Sequence, residues 1–299
     1  MNLSPQQQQI IRELDDGSLY ADPDIISALF SYPHMLEPRL WVSHDASGRP
    51  NGYLPVGQFY QDGTLSYIAA MPNSPPVSPT YTPGAEYILA NIRVPYFDSD
   101  LVSQFPGLTQ YMTASAYGLP LNAYLDQLSP QRRKDFRRKL KHAERYQSRP
   151  GTLQDVRNAW TWMEDIWDQR PGEFGAVSYS DYLALTLDWL DQLDHSQRAQ
   201  VIVTNYTLNG QFAGVNCLVR HRYRNQWHCD DYLTWYNPDI ASGLGIVSAI
   251  NNLTRPEYRG CRYNLGTPGL NKISHRHAYK MTLIPEKLRL TQAVKVIRH

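Results

Sequence analysis

The 299-residue sequence has no run of about 18 apolar residues, so a membrane-spanning helix is not expected. The segment from Met1 to Asp16 shows no basic stretch followed by an apolar one, so no secretory signal is read there. Cysteine is scarce. Cys217, Cys229 and Cys261 are odd in number, widely spaced and set among strand-forming residues. They make no disulfide framework and read as buried thiols in a reducing compartment, with the cytoplasm as the expected location. Metal-ligand spacing is missing as well. His275 and His277 stand two apart and His228 precedes Cys229, but no matched pair of ligand spacings accompanies them, and no metal is expected. Neither a nucleophile elbow nor a Ser–His–Asp order is present, so a hydrolase-type serine nucleophile is not expected.

What is present is a chain with 42% hydrophobic and 19% charged residues, long enough for one large domain or two of about 150 residues. Net charge is only +1, but it is unevenly placed. Ser129–Arg149, "SPQRRKDFRRKLKHAERYQSR", holds nine Lys and Arg against Asp135 and Glu144, which leaves 20 basic and 26 acidic residues elsewhere. Such a block is a solvated linker helix or a surface for anions. Ser129 and Pro130 suit a helix start, and Phe136, Leu140 and Ala143 form one narrow apolar stripe. The spacing predicts one long basic helix ended by Arg149-Pro150-Gly151, which is the expected domain boundary. Its exposed cations, Arg132, Arg133, Arg137, Arg138 and Lys141, are candidate phosphate contacts for RNA.

Before this helix the pattern predicts a polar helix ending near Leu14, a short helix over Asp24–Phe30, and three strands with turns at Ser47-Gly48 and Asp62-Gly63. Five prolines in Met71–Gly84 make that segment a loop, and a helix is expected near Ala85–Ile92. After the basic helix, Thr152 caps a helix with Leu153, Val156, Trp160, Met163 and Trp167 on one stripe. A second helix covers about Ser180–Leu193. Asn209-Gly210 then joins two strands as a type I′ hairpin. "QWHCDDYLTWY" is a third strand and "CRYNLG" a fourth, with a helix between them. The order α-α-β-β-β-α-β is echoed weakly by the first half, so the expected class is α+β, built from two tandem units. The expected limits are 1–127 for the first unit, 128–150 for the connecting helix and 151–299 for the second unit.

The helix between the last two strands opens on Ser242-Gly243-Leu244-Gly245. Two glycines there are more than a cap requires, and they let an anion or oxyanion come close to the helix N–H groups. Asp230 and Asp231 are neighbours on a strand, so their side chains point to opposite faces. One of them can face a cleft as a general base, and the sequence leaves open which.

Three motifs, "LSPQRRKDFRRKLKHAERY", "YNPDIASGLGIVSAI" and "YNLGTPGLNKISHRHAYK", together resemble the GNAT superfamily of N-acyltransferases, in its tandem FemAB-like or BioF2-like branch. The likeness covers Leu128–Thr282 and is faint before it. It implies two GNAT-like units, each a mixed, mostly antiparallel sheet flanked by helices. It also implies transfer of an activated acyl or aminoacyl group to a primary amine of a small molecule or peptide. Donor contacts then fall to Ser242, Gly243, Leu244, Gly245 and Lys280, and catalysis to Asp230, Asp231 and Tyr279. Tyr232, Tyr236, Asn264, His275 and His277 fall to the acceptor pocket. Nothing tightly bound is expected, with acyl-CoA or aminoacyl-tRNA as co-substrate. Two departures stand out: Ile240 occupies the place where the acyl-CoA fingerprint begins with Gln or Arg, and Asn264 the place of a common Asp. The alternatives are a FemX-like aminoacyl-tRNA-dependent transferase in natural-product or cell-wall biosynthesis, and a non-catalytic FemAB-like binding module. The basic helix is expected to lie away from Gly243–Gly245, so that removing its charge would weaken a tRNA donor and spare an acyl-CoA.

Overall fold

A computed structural model describes residues 3–31, 36–61, 64–68, 113–114, 118–162, 179–223, 226–241, 243–265 and 280–283. The protein is α+β, with largely antiparallel sheets flanked by helices. It divides into two compact units. One comprises Met1–Tyr111, Arg222–Asn225 and Leu288–His299; the other comprises Met112–His221 and Gln226–Lys287.

In the first unit, α1 (Pro5–Glu13) starts where Ser4 accepts from the Gln7 N–H and the Gln7 side chain accepts in return from the Ser4 N–H. Asp22 caps α2 (Pro23–Phe30) through the Asp24 N–H, with Pro23 in the first turn. Strands β1 (Leu36–His44), β2 (Pro50–Gln61) and β3 (Thr64–Ile68) follow as an antiparallel meander. The proline-rich loop at 71–84 and the helix expected at 85–92 lie outside the described residues.

The second unit carries a six-stranded sheet. Its strands are β4 (Thr113–Ala114), β5 (Tyr146–Pro150), β6 (Ala199–Leu208), β7 (Gln211–Tyr223), β8 (Gln226–Tyr236) and β9 (Arg262–Asn264). They lie in the order β4-β9-β8-β7-β6-β5. Asn209 and Gly210 both take positive φ, 53° and 78°, which is the turn expected between β6 and β7. Helices α3 (Leu121–Asp126), α4 (Pro130–Ala143) and α7 (Leu244–Leu253) share one core. Tyr124, Phe136, Leu218, Cys229, Ile250, Leu253 and Tyr263 are buried together there. Helices α5 (Leu153–Ala159) and α6 (Tyr179–His195) pack against β6, where α5 also meets β8 and Trp160 sits edge-on to Trp235 at 4.7 Å. All three cysteines are buried and free.

The basic segment differs from its expectation in one respect. Helix α4 ends at Ala143, and Tyr146–Pro150 forms the edge strand β5, antiparallel to β6 from Tyr146↔Leu208 to Pro150↔Thr204. The physical reason is the end of the apolar stripe. Past Ala143 the residues Arg145, Gln147 and Ser148 give a helix nothing to bury, whereas β6 has an open ladder to fill. Arg149-Pro150-Gly151 therefore lies inside the second unit.

Candidate functional site

The site is built around the crossover β8–α7–β9. Strand β9 runs parallel to β8, with His228↔Arg262, Cys229↔Tyr263 and Asp230↔Asn264 in register, so a helix must connect them. Gly243 stands at the N-cap with φ 82° and ψ 6°, and a β-carbon built there would meet nothing within 4 Å. Leu244 donates to Ala241, while Ile246 and Val247 both donate to the Gly243 carbonyl. Among the described residues no partner fills the Gly245 N–H. An open, left-handed helix start of this kind presents partial positive charge to an anion.

A second glycine seats the helix. A β-carbon on Gly214 of β7 would come within 2.5 Å of Leu244 Cδ2, 2.7 Å of the Trp235 carbonyl and 2.9 Å of Tyr236 Cβ. The β6–β7 register shifts between Tyr206 and Thr207, beside this contact, and the Asn237 N–H closes onto the Ala213 carbonyl. An irregular strand with no side chain at Gly214 thus lets the first turn of α7 lie close to the sheet.

Helix α4 supplies the opposite wall. Ser129 caps it through the Arg132 N–H, and Phe136 is buried in the shared core. Its last turns then line a cleft of about 570 Å³ through Arg138, Lys139, Lys141, His142 and Ala143. Tyr146, Gly243 and Val247 complete the described lining. Cationic side chains and a helix N-terminus face one space, and both favour negative charge there. The expected separation between the basic helix and Gly243 does not exist, because Phe136 and Leu140 anchor α4 against the same core as Ala249, Ile250 and Leu253 of α7.

On the sheet, Asp230 and Asp231 point to different surroundings. The Asp230 Oδ2 lies 2.9 Å from His221 Nε2, and both residues are buried. The His221 ring stacks on His228 with centroids 5.9 Å apart. Burial, and then the neighbouring His221, push His228 down to about 3, so it is neutral near neutral pH. Asp231 instead accepts from Asn216 Nδ2 at 2.8 Å, and the Asn216 Oδ1 accepts from Asn252 of α7 at 2.8 Å. Asn252 reaches on to the Tyr263 hydroxyl at 3.4 Å. One aspartate belongs to a histidine cluster and the other to an amide network under α7.

Structural neighbours identify the architecture. FemX superposes with a TM-score of 0.56 at 8% identity, over 98% of this chain and 95% of its own. A conserved protein of unknown function from Bacteroides thetaiotaomicron gives 0.55 at 13% identity, over 99% of both chains. A tandem GNAT protein from the clavulanic acid biosynthesis pathway gives 0.51 at 11% identity, over 97% and 95%. The fold is GNAT-like. No protein-family model matches the sequence, and no curated protein does.

Within this GNAT-like unit, the residues singled out in the sequence are only partly gathered. Arg138, Lys141 and Gly243 line the cleft together. Leu244 is buried at Gly214, and Gly245 lies in the first turn of α7. Arg132, Arg137, Asp230, Asp231, Tyr232 and Tyr236 are not among the described lining residues. Arg133 is a structural residue. Its guanidinium donates to the carbonyls of Leu125, Asp126 and Leu128 at the end of α3 and pairs with Asp126 at 3.2 Å. Tyr236 is half-buried and packs on the Ala241 and Leu244 cluster, and Tyr232 is half-buried. Asn264 closes the β8–β9 pairing, and Lys280 opens α8 (Lys280–Leu283), which is tied to α3 by the Tyr124 hydroxyl donating to the Leu283 carbonyl at 2.6 Å. Ser242, His275, His277 and Tyr279 lie outside the described residues, as do the side chains of Asn264 and Lys280. Lys139, His142, Tyr146, Val247 and Gly214 were not singled out. The first two sit within the basic stretch, but only the packing of α4 tells which cations meet Gly243. Among the described residues no group of three metal-ligating side chains occurs, and no helix is long and apolar enough to cross a membrane.

Proposed function

We propose that the protein is an N-acyltransferase whose second unit holds the phosphate-bearing carrier of an activated acyl or aminoacyl donor. The carrier sits between the last turns of α4 and the start of α7, and the acyl group passes to a primary amine. The observation that carries this reading is the shared cleft, in which Arg138, Lys139, Lys141 and His142 face the open helix start at Gly243. Neither wall alone defines a donor site, whereas together they match an anionic carrier. The solved structures of similar fold include FemX and a tandem GNAT protein, which support transfer as the chemistry.

Both donor classes carry phosphates, and the cleft suits either. Cations outside the cleft favour the larger one. Arg137, Arg145 and Arg149 are exposed on α4, the turn after it and β5, and are not among the described residues that line the cleft. Such an extended basic surface fits an aminoacyl-tRNA better than an acyl-CoA. Incubation of the full chain with radiolabelled acetyl-CoA and with mixed radiolabelled aminoacyl-tRNAs, each against a panel of primary amines, tests the proposal. Label appearing in an amide is the expected result, from charged tRNA in preference to acetyl-CoA. Retention of label by both donors, at the rate of an enzyme-free control, would leave a binding module without transfer activity.

A further inference from the structure

The strand alternation leaves two adjacent aspartates as candidates for one role, and the geometry separates them. Strands β8 and β9 pair in parallel for three residues and stop at Asp230↔Asn264, while β8 continues to Tyr236. Among the described residues the β8–β9 pairing therefore ends level with Asp230, six residues before the end of β8. Asn264 is at the same time the register partner of Thr113 on β4. Asp230, Asn264 and Thr113 thus form one lateral row over β8, β9 and β4, and the Asp230 side chain reaches His221 on β7. Asp231, one residue on, is bound by Asn216, whose amide nitrogen also donates to the Leu233 carbonyl and the Thr234 hydroxyl. Its network ties β7 and β8 to Asn252 of α7 and has the form of a packing device.

We propose that Asp230 is the carboxylate that deprotonates the acceptor amine, and that His221 is the residue that positions it. This rests on the transfer reading given above. Of the pair, the Asp230 side chain retains 11% exposure against 2% for His221, so the carboxylate is the member that substrate can reach. The histidine stands behind it, held by its stack on His228. With its ring N–H as donor, His221 at 2.9 Å fixes the carboxylate rotamer. Around the carboxylate stand His221 on β7 and, on β8, the adjacent Cys229 and His228 two residues back; His228 in turn feels Arg262, its β9 register partner.

An acceptor R–NH3+ gives one proton to Asp230 and becomes R–NH2. Its nitrogen lone pair then attacks the donor carbonyl carbon, and the bond from that carbon to the carrier oxygen or sulfur breaks. The carrier leaves as the alcohol or thiol after taking the second amine proton, and Asp230 returns its own proton to solvent. No covalent intermediate on the chain is formed.

Steady-state rates with whichever donor is discharged, measured for four variants across pH, test the assignment. Asp230→Asn is expected to lower kcat about 100-fold or more with KM for the donor unchanged, and Asp231→Asn to stay within about threefold of the parent. His221→Leu should lower kcat about tenfold and move the acidic limb of the kcat profile to higher pH, because the carboxylate loses its hydrogen-bond donor. His221→Gln keeps an N–H donor and should restore most of the rate. A larger loss in Asp231→Asn than in Asp230→Asn, or an unmoved acidic limb in folded His221→Leu, would overturn the proposal. A parent chain that discharges no donor would instead count against the transfer reading. In that case imidazole NMR of the 15N-histidine-labelled full chain still decides the Asp230 contact. Titration with ethylamine should shift the His221 signals in the parent and in Asp231→Asn but not in Asp230→Asn. An equal shift in Asp230→Asn, or none in the parent, would overturn it.

Discussion

Gly243 holds φ at 82° with open space where a β-carbon would stand. A side chain there would be strained by about 1–2 kcal/mol and would also project into the cleft. Gly243→Ala is expected to leave the fold intact by circular dichroism and to weaken donor binding about tenfold, with Gly243→Val weakening it further. Unchanged affinity in both folded variants would reduce the residue to a turn former. His228 gives a separate, stability-based prediction. Its folded value is depressed to about 3, mainly by burial, whereas an unfolded chain has the ordinary histidine value near 6.5. Between those values the unfolded state binds the extra proton, so stability falls as pH drops below about 6.5 and holds above it. At pH 5 the loss is about 2 kcal/mol. Urea unfolding of His228→Leu should therefore show a smaller drop in stability from pH 7 to pH 5 than the parent. Equal drops would show that His228 does not stay neutral in the folded chain.

At the scale of elements, α4 combines two roles. Arg133 binds three carbonyls at the end of α3, so Arg133→Met should cost about 1.5–3 kcal/mol in denaturant unfolding while sparing donor affinity in the folded fraction. Substitution inside and outside the cleft separates the donors. Lys139→Gln with His142→Gln acts inside the cleft and should weaken either donor, whereas Arg137→Gln with Arg145→Gln should weaken only a long polyanion. For a tRNA donor, the second pair should make the slope of log affinity against log salt shallower by about 0.7–0.9 for each phosphate that is no longer neutralised. An acetyl-CoA affinity that falls equally in both pairs would contradict this division of the surface. Much at this scale was legible in the sequence, because it is written in local chemistry. Ser129-Pro130, Thr152 and Asn209-Gly210 mark boundaries that the structure keeps. Strand β5 was missed because its partner, β6, lies about 50 residues further along, and nothing in Tyr146–Pro150 alternates in hydrophobicity. The proximity of α4 to Gly243 was missed for a like reason. It depends on Phe136 and Leu140 meeting Ile250 and Leu253, and such packing leaves no mark on either segment alone.

For the molecule as a whole, the charge asymmetry carries the functional argument. A chain of net charge +1 concentrates nine of its 29 basic residues in one 21-residue stretch, and the second unit turns part of that stretch toward a helix N-terminus. Both walls belong to one compact unit, so the proposed donor cleft lies within that unit. If α4 and the start of α7 grip the same phosphate, removing either wall's hold must change what the other is worth. A double-mutant cycle on donor affinity measures this directly, using Gly243→Ala, His142→Gln and the double variant, each confirmed as folded. The account predicts a coupling energy of about 0.5 kcal/mol or more for the donor that the parent chain binds. Strictly additive losses would contradict it, for the two walls would then be acting on different parts of the ligand or on none.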